Sequence, residues 1–244
     1  MIIQKIKIGN CTLIHGDSSK IIDNLGQGFD ATVCDPPYGV NGSNGTIGKK
    51  RAKAAYSNNV FPDTPDYISD VIAPLIGKSI KISDRAAITV GGTCAGFYPN
   101  PTAVGAYVSP SSAGLCKWGA CTVQPIFFYG RDPRIGKDIT PISYKLNEHA
   151  PKNGHPCPKP IKAWTWLVHK ASLSNHHVFD PLMGSGTTGV SCVKLGRQFT
   201  GIEINKDYFD IAVKRISEAY SQPDIFIDLD KKRKSKRVKT GALI

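Results

Sequence analysis

Acidic residues are scarce in this 244-residue chain: 19 Asp and Glu face 31 Lys and Arg, a formal net charge of +12. The excess argues against a cationic partner and suits a polyanion such as nucleic acid, although solubility alone would also account for it. Long apolar runs are missing as well. No stretch approaches the roughly 20 residues that span a bilayer, and Met1 to Lys7 is too short and too charged to be a secretory leader. A soluble, cytoplasmic chain that does not enter a membrane is expected. Paired cysteines are lacking. Cys11, Cys34, Cys94, Cys116, Cys121, Cys157 and Cys192 are scattered, with no C-x-x-C. That speaks against a disulfide framework. His176 and His177 are adjacent rather than helically spaced, so no metal site is expected. Apolar residues, by contrast, make up 41% of the chain, enough for one sizeable core with at most a small appended lobe.

Apolar periodicity places short strands at 11–15, 29–34, 86–90, 125–130, 178–180 and 198–204. It places helices at 18–26, 66–80, 160–173 and 187–196, and Asn205 caps a last helix through about 219. This alternation predicts an α/β fold with a mainly parallel sheet. Residues 39–65, rich in Gly, Asn, Lys and Pro, read as a long mobile loop. The tract 93–125 resists assignment, with many Gly, Pro and Ser and the aromatics Phe97, Tyr98, Tyr107 and Trp118. No internal repeat is present.

Three constellations carry chemistry. The first is Phe179-Asp180-Pro181-Leu182-Met183-Gly184-Ser185-Gly186-Thr187-Thr188-Gly189, a strand running through a glycine turn into a helix. Glycines let a ligand approach the backbone at a sheet edge, and helix-start amides with Ser and Thr hydroxyls bind a carboxylate or phosphate. Alone, the pattern is equally a structural turn. Glu203, ending the next strand at roughly the twenty-residue spacing of a ribose-binding acid, turns the pair toward an adenosine-containing cofactor. No Walker lysine follows the glycines, which speaks against ATP. The second is Asp35-Pro36-Pro37-Tyr38 directly after a strand. Two prolines stiffen the backbone and remove amide donors. A carboxylate, carbonyl acceptors and an aromatic ring remain, a set that can hold an amino group under a stacked ring or simply form a rigid turn. The third is His155-Pro156-Cys157-Pro158-Lys159-Pro160, whose His and Lys can point at one anion. Cys157 reads as a packed thiol rather than a nucleophile.

In this order, D-P-P-Y, H-P-x-x-K-P and F-D-P-x-M-G-S-G-T-T-G resemble the beta-class amino-methyltransferases of bacterial and phage DNA, over nearly the whole chain. The resemblance implies a Rossmann-like, S-adenosylmethionine-dependent fold, circularly permuted so that the catalytic half precedes the cofactor half. It implies cofactor contacts at Asp180, Gly184, Ser185, Gly186 and Thr187, with Glu203 on the ribose. It further implies His155 and Lys159 near the methionine carboxylate and Asp17 near the cofactor adenine. Asp35, Pro36, Pro37 and Tyr38 would be the catalytic four. Asp at the first position resembles the adenine-specific members, whereas N4-cytosine members more often carry Ser, so the expected product is N6-methyladenine with cytosine left open. An RNA or protein amide methyltransferase and a non-catalytic DNA-binding protein are the other readings.

Double-stranded DNA is the expected partner. Its contacts are expected from Lys49, Lys50, Arg51 and Lys53, from Arg131 and Arg134, and from the basic run 231–237, which reads equally as a solvated end. The expected organisation is one catalytic domain over 1–230 and a basic tail over 231–244. Within the domain, 93–150 is the candidate target-recognition region, with Asn100, Trp118, Gln124, Arg131 and Arg134 as hydrogen-bonding or aromatic side chains. A homodimer and a restriction-enzyme partner are left open.

Overall fold

The structure, a computed structural model, describes residues 2–39, 62–108, 114–116, 119–133, 139–141 and 159–221. The strands are β1 (Ile2–Ile8), β2 (Cys11–Gly16), β3 (Ala31–Cys34), β4 (Ala86–Thr89), β5 (Ala103–Val108), β6 (Gly114–Cys116), β7 (Gly119–Cys121), β8 (Val123–Tyr129), β9 (Ile139–Pro141), β10 (His177–Asp180) and β11 (Gln198–Glu203). The helices are α1 (Ser18–Ile21, continued by a 3-10 turn Ile22–Asn24), α2 (Ala73–Lys81), α3 (Ile161–Ala171), α4 (Thr187–Leu195) and α5 (Lys206–Ser221). One sheet runs β1-β2-β11-β10-β3-β4-β8-β5-β9, and β6 and β7 form a separate hairpin. The pairings from β2 to β4 are parallel, those of β8 antiparallel, so the α/β fold with a mainly parallel centre stands.

The central strands are buried on both faces and alternate accordingly. Leu13, Val33, Ala87, Val178 and Phe199 face one side, where they pack with Trp164 and Leu167 of α3, Val190 of α4, and Phe209 and Ile216 of α5. Ile14, Cys34, Ile88, Phe179 and Ile202 face the other, against Ile21, Ile22, Ile68, Ile72, Leu75 and Ile76. A three-layer sandwich results.

Five strands lie outside the expectation: β1, β5 and the short β6, β7 and β9. β1 was not foreseen because its residues are mostly exposed: it is an edge strand, with Lys5 and Lys7 along it. β5 came from the unassigned tract, and its Ala and Gly carry little strand signal. The helix expected at 66–80 begins instead as Pro65–Tyr67 capped by Thr64, passes through a π-helical stretch Ile68–Ile72, and continues as α2. Pro74 explains the irregularity, since it cannot donate to the carbonyl four residues back. The loop expected at 39–65 and the basic tail lie, for residues 40–61 and 222–244, outside the described residues.

The crossovers decide where a site can form. From β10 the chain passes through α4 to β11 on one side; from β3 it passes through the α2 segment to β4 on the other. The loops leaving β10 and β3 therefore diverge, which opens the crevice where ligands bind in sheets of this kind.

Close packing beneath that crevice leaves no room at Gly189 of α4. A Cβ there would come within 2.4 Å of Ile216 Cδ1 and 2.8 Å of Phe199 Cε1. Gly189→Val is expected to lower the unfolding free energy by about 1–3 kcal/mol through overpacking. Urea denaturation at constant m-value measures this, and an unchanged midpoint would contradict the packing described.

Candidate active site

The glycine turn begins at Asp180, which is 2% exposed. Its Oδ1 accepts the Leu182 amide at 3.0 Å and its Oδ2 the Thr188 hydroxyl at 2.5 Å. Trp164 Nε1 in turn donates to Thr188 Oγ1 at 2.8 Å. Gly184 and Gly186 take φ of 52° and 79°, and a Cβ on Gly186 would lie 2.9 Å from Ala212 Cβ of α5. The turn is held from the next strand by Glu203, whose Oε2 accepts the Gly184 amide at 2.9 Å and Oε1 the Asn205 amide at 2.7 Å. Burial pushes Glu203 up to about 7 against the pull of those amides, and pushes Asp180 up to about 6. From below, Arg215 of α5 donates to the Ser185 carbonyl at 2.6 Å, Ser185 Oγ at 2.8 Å and Thr187 Oγ1 at 3.2 Å.

One strand away, Asp35 follows β3. Its Oδ1 accepts the Tyr38 hydroxyl at 2.6 Å and the Thr89 hydroxyl at 2.5 Å. Lys159 Nζ lies 3.1 Å from Asp35 Oδ2, donates to Tyr38 Oη at 2.9 Å and sits 4.7 Å from the centre of the Tyr38 ring. Burial works against the Lys159 charge, but Asp35 and Tyr38 outweigh it and raise the ammonium further, so Lys159 stays a cation. Burial and Asp35 likewise raise the Tyr38 phenol, which remains a neutral donor. Cys34 is fully buried, and its thiol is raised by burial, then by the charges of Asp180 and Asp35. It is a buried core thiol, not a nucleophile.

The sheet thus gathers Asp17, Asp35 to Tyr38, Asp180, Gly184 to Thr187 and Glu203 at one edge. Asp17 follows β2 and caps α1 by accepting the Ser19 amide at 3.0 Å. Lys159, expected at the methionine carboxylate, has its contacts on the catalytic four. Lys49, Lys50, Arg51, Lys53, Arg134, His155, Cys157 and Trp118 lie outside the described residues. Arg131 and Gln124 fall within the described residues. Arg131 follows Tyr129 of the antiparallel β8, and Tyr129 pairs with Ala86 at the start of β4, so Arg131 leaves the sheet at the edge opposite Thr89 and Asp35. Gln124 is 7% exposed and donates to the Val90 carbonyl at 2.9 Å, so it is a bond within the fold and not a base contact. Thr89 and Arg215 were missed. The one signal for Arg215 was its place one turn beyond Ala212 on the helix that backs Gly186.

The family model for DNA methylase of the N6/N4 type matches residues 107–214. The chain is 41% identical to the type II methyltransferase M2.LlaDCHI of Lactococcus lactis subsp. cremoris, over 86% of this chain and 90% of that one. It is 32% identical to the DNA adenine methyltransferase YhdJ of Escherichia coli strain K12, over 43% of this chain and 33% of that one. The solved M1.HpyAVI–SAM complex shares the fold, with a TM-score of 0.58 at 21% identity, covering 84% of this chain and 98% of that one. The chain belongs to the N6/N4 DNA methylase family.

The two buried acids set a pH dependence of stability. Folded Glu203 and Asp180 keep protons that the unfolded chain, with ordinary values of 4.5 and 3.8, releases earlier. Their contribution is therefore full below those values and lost as pH rises through about 6 and about 7. Melting temperatures taken from pH 5 to 8 are expected to fall less steeply for Glu203→Gln, which carries no titrating proton, than for the parent. Parallel slopes would show that Glu203 does not titrate in this window.

Proposed function

We propose that the chain transfers a methyl group from S-adenosylmethionine to the exocyclic amine of a base in DNA, with adenine N6 as the target. One observation carries the reading: a carboxylate, Asp35, is held at the crevice one strand from the glycine turn, with acceptor capacity left on Oδ2. The permuted order belongs to the same proposal, since the catalytic strand β3 precedes the cofactor strand β10 in the chain.

The turn fits the cofactor. Glu203 has lone pairs beyond its two amide bonds, enough for ribose hydroxyls. His15, paired with Glu203 across the strands, has a buried Nδ1 with no partner, while its Nε2 is engaged by the Ile204 carbonyl at 3.1 Å. Arg215 can only donate, so the hydroxyls of Ser185 and Thr187 keep their hydrogens for a carboxylate. The bound cofactor supplies an electrophilic methyl on a sulfonium.

Asp35 Oδ2 and the Pro36 carbonyl accept the two N–H bonds of the amine, and the nitrogen lone pair is thereby aimed at the methyl. As the N–C bond forms, the methyl–sulfur bond of the donor would break, its electron pair staying on sulfur to leave a neutral thioether, and the nitrogen would lose one proton to Asp35. Catalysis is mainly positioning and electrostatics. The base leaves the duplex first, and the Tyr38 ring stacks on it, worth roughly 1–3 kcal/mol.

Strand directions suggest which segments read the target. The chain leaves the sheet at the Asp35 edge after Tyr38, after Val108 of β5 and after Pro141 of β9. The second of these stretches carries the β6–β7 hairpin. Target reading belongs there, and with Lys49 to Lys53 after Tyr38, rather than with Arg131. No described helix is long and apolar enough to cross a membrane; a DNA substrate supports a cytoplasmic location.

DNA and RNA incubated with the protein and cofactor, digested to nucleosides and weighed by mass spectrometry, test the reading. N6-methyladenine in DNA is expected. N4-methylcytosine alone would overturn the base, and product confined to RNA the substrate class. The cofactor site has its own test in Arg215→Met, which removes bonds from a charged donor worth roughly 1.5–3 kcal/mol each. Calorimetry is expected to show cofactor affinity at least about tenfold weaker; unchanged affinity would detach Arg215 from the site.

A further inference from the structure

The catalytic carboxylate is held by more than its own motif. Thr89 ends β4, the strand beside β3, and is fully buried. It has a single hydroxyl hydrogen, and that hydrogen goes to Asp35 Oδ1 at 2.5 Å. Tyr38 donates to the same oxygen at 2.6 Å, so Oδ1, with two lone pairs, is saturated. Oδ2 carries Lys159 at 3.1 Å and retains one lone pair. Lys159 and Tyr38 are also bonded to each other, at 2.9 Å. These three groups form a closed ring. Thr89 comes from a different strand, is stiff at χ1 and is fully buried. It ties Oδ1 to β4, whereas the ring ties the carboxylate only to Tyr38 and Lys159.

The backbone just beyond Thr89 supports the same motif. A Cβ on Gly91 would come within 2.7 Å of both Cβ and the carbonyl oxygen of Tyr38. The bare backbone of Gly91 therefore forms the seat for Tyr38, as Thr89 forms the anchor for Asp35.

We infer that Thr89 is a positioning residue for methyl transfer: its hydroxyl locks the Asp35 carboxylate so that the free lone pair of Oδ2 faces the crevice and accepts the amine of the target base. The inference rests on the methylation reading and adds to it the residue that orients the acceptor. Thr89 acts through Asp35, to which its one hydroxyl hydrogen is already committed.

The test compares Thr89→Val, which keeps shape and removes the donor, with Thr89→Ser, which keeps the donor. Thr89→Val is expected to lose about 10- to 100-fold in kcat with DNA, comparable to or less than loss of one transition-state hydrogen-bond donor. Cofactor affinity by calorimetry is expected to stay within about twofold of the parent, and Thr89→Ser to recover most of kcat. A Thr89→Val variant with parental kcat, or a Thr89→Ser variant no better than it, would overturn the inference. Crystal structures of the parent and of Thr89→Val give a readout free of activity: the Asp35 carboxylate is expected to rotate or split into two conformers. A carboxylate unmoved in Thr89→Val overturns the inference even if kcat falls. If the parent itself methylates neither DNA base, the methylation reading falls, and the two crystal structures still decide whether Thr89 orients Asp35.

Discussion

A carboxylate withdrawn from water joins the two halves of the site. Asp180 ends β10 and accepts the Leu182 amide and the Thr188 hydroxyl. Those bonds shape the glycine turn, and the Asp180 charge acts on Cys34, the residue before Asp35. Thr188 is itself held by Trp164, so the network runs from the core helix α3 to the glycine turn. Removing one partner from such a buried polar network leaves a group unsatisfied at a cost of about 1–3 kcal/mol. Burial alone would neutralise Asp180 at ordinary pH, and the hydrogen bonds are what pull it back toward charge.

The two turns are chemically complementary. The glycine turn offers mainly donors, from helix-start amides and from hydroxyls whose oxygens are occupied by Arg215. Those suit a carboxylate. The Asp35 turn offers acceptors, because two prolines remove amides and Asp35 has an unfilled lone pair. Those suit an amine. Between them lies the crevice at the point where strand order reverses, so an anion-bearing methyl donor and an amine-bearing base would meet across the gap from β10 to β3.

Most of the sheet was legible in the sequence because its central strands are short apolar runs ended by Asp, Gly or Pro: Phe179-Asp180, Cys34-Asp35 and Ile88-Thr89-Val90. The motifs themselves marked their own turns. What could not be read was direction. Whether β8 runs with or against β4 decides which end of it lies at the site, and a run such as Ile126-Phe127-Phe128 looks alike either way. The end of the sheet at which Arg131 emerges was therefore not legible, and Gln124 was read as a target-reading side chain although its strand buries it. Thr89 and Arg215 were invisible for a related reason. Each acts on a motif from another element, 54 residues away for Thr89 and 28 to 30 for Arg215. β1 escaped because its alternation is confined to Lys5-Ile6-Lys7-Ile8 at an exposed edge, and β5 because Gly and Ala separate its Val and Tyr residues.

The central claim is that Asp35 accepts the amine of an extruded base through the oxygen not held by Thr89 and Tyr38. A crystal structure of the protein with S-adenosylhomocysteine and a duplex containing its methylated site tests this most directly. The account predicts the extruded adenine's N6 about 2.7–3.2 Å from Asp35 Oδ2, with Thr89 and Tyr38 still on Oδ1. An extruded base whose amine is held by other residues, with Asp35 pointing away, would contradict it.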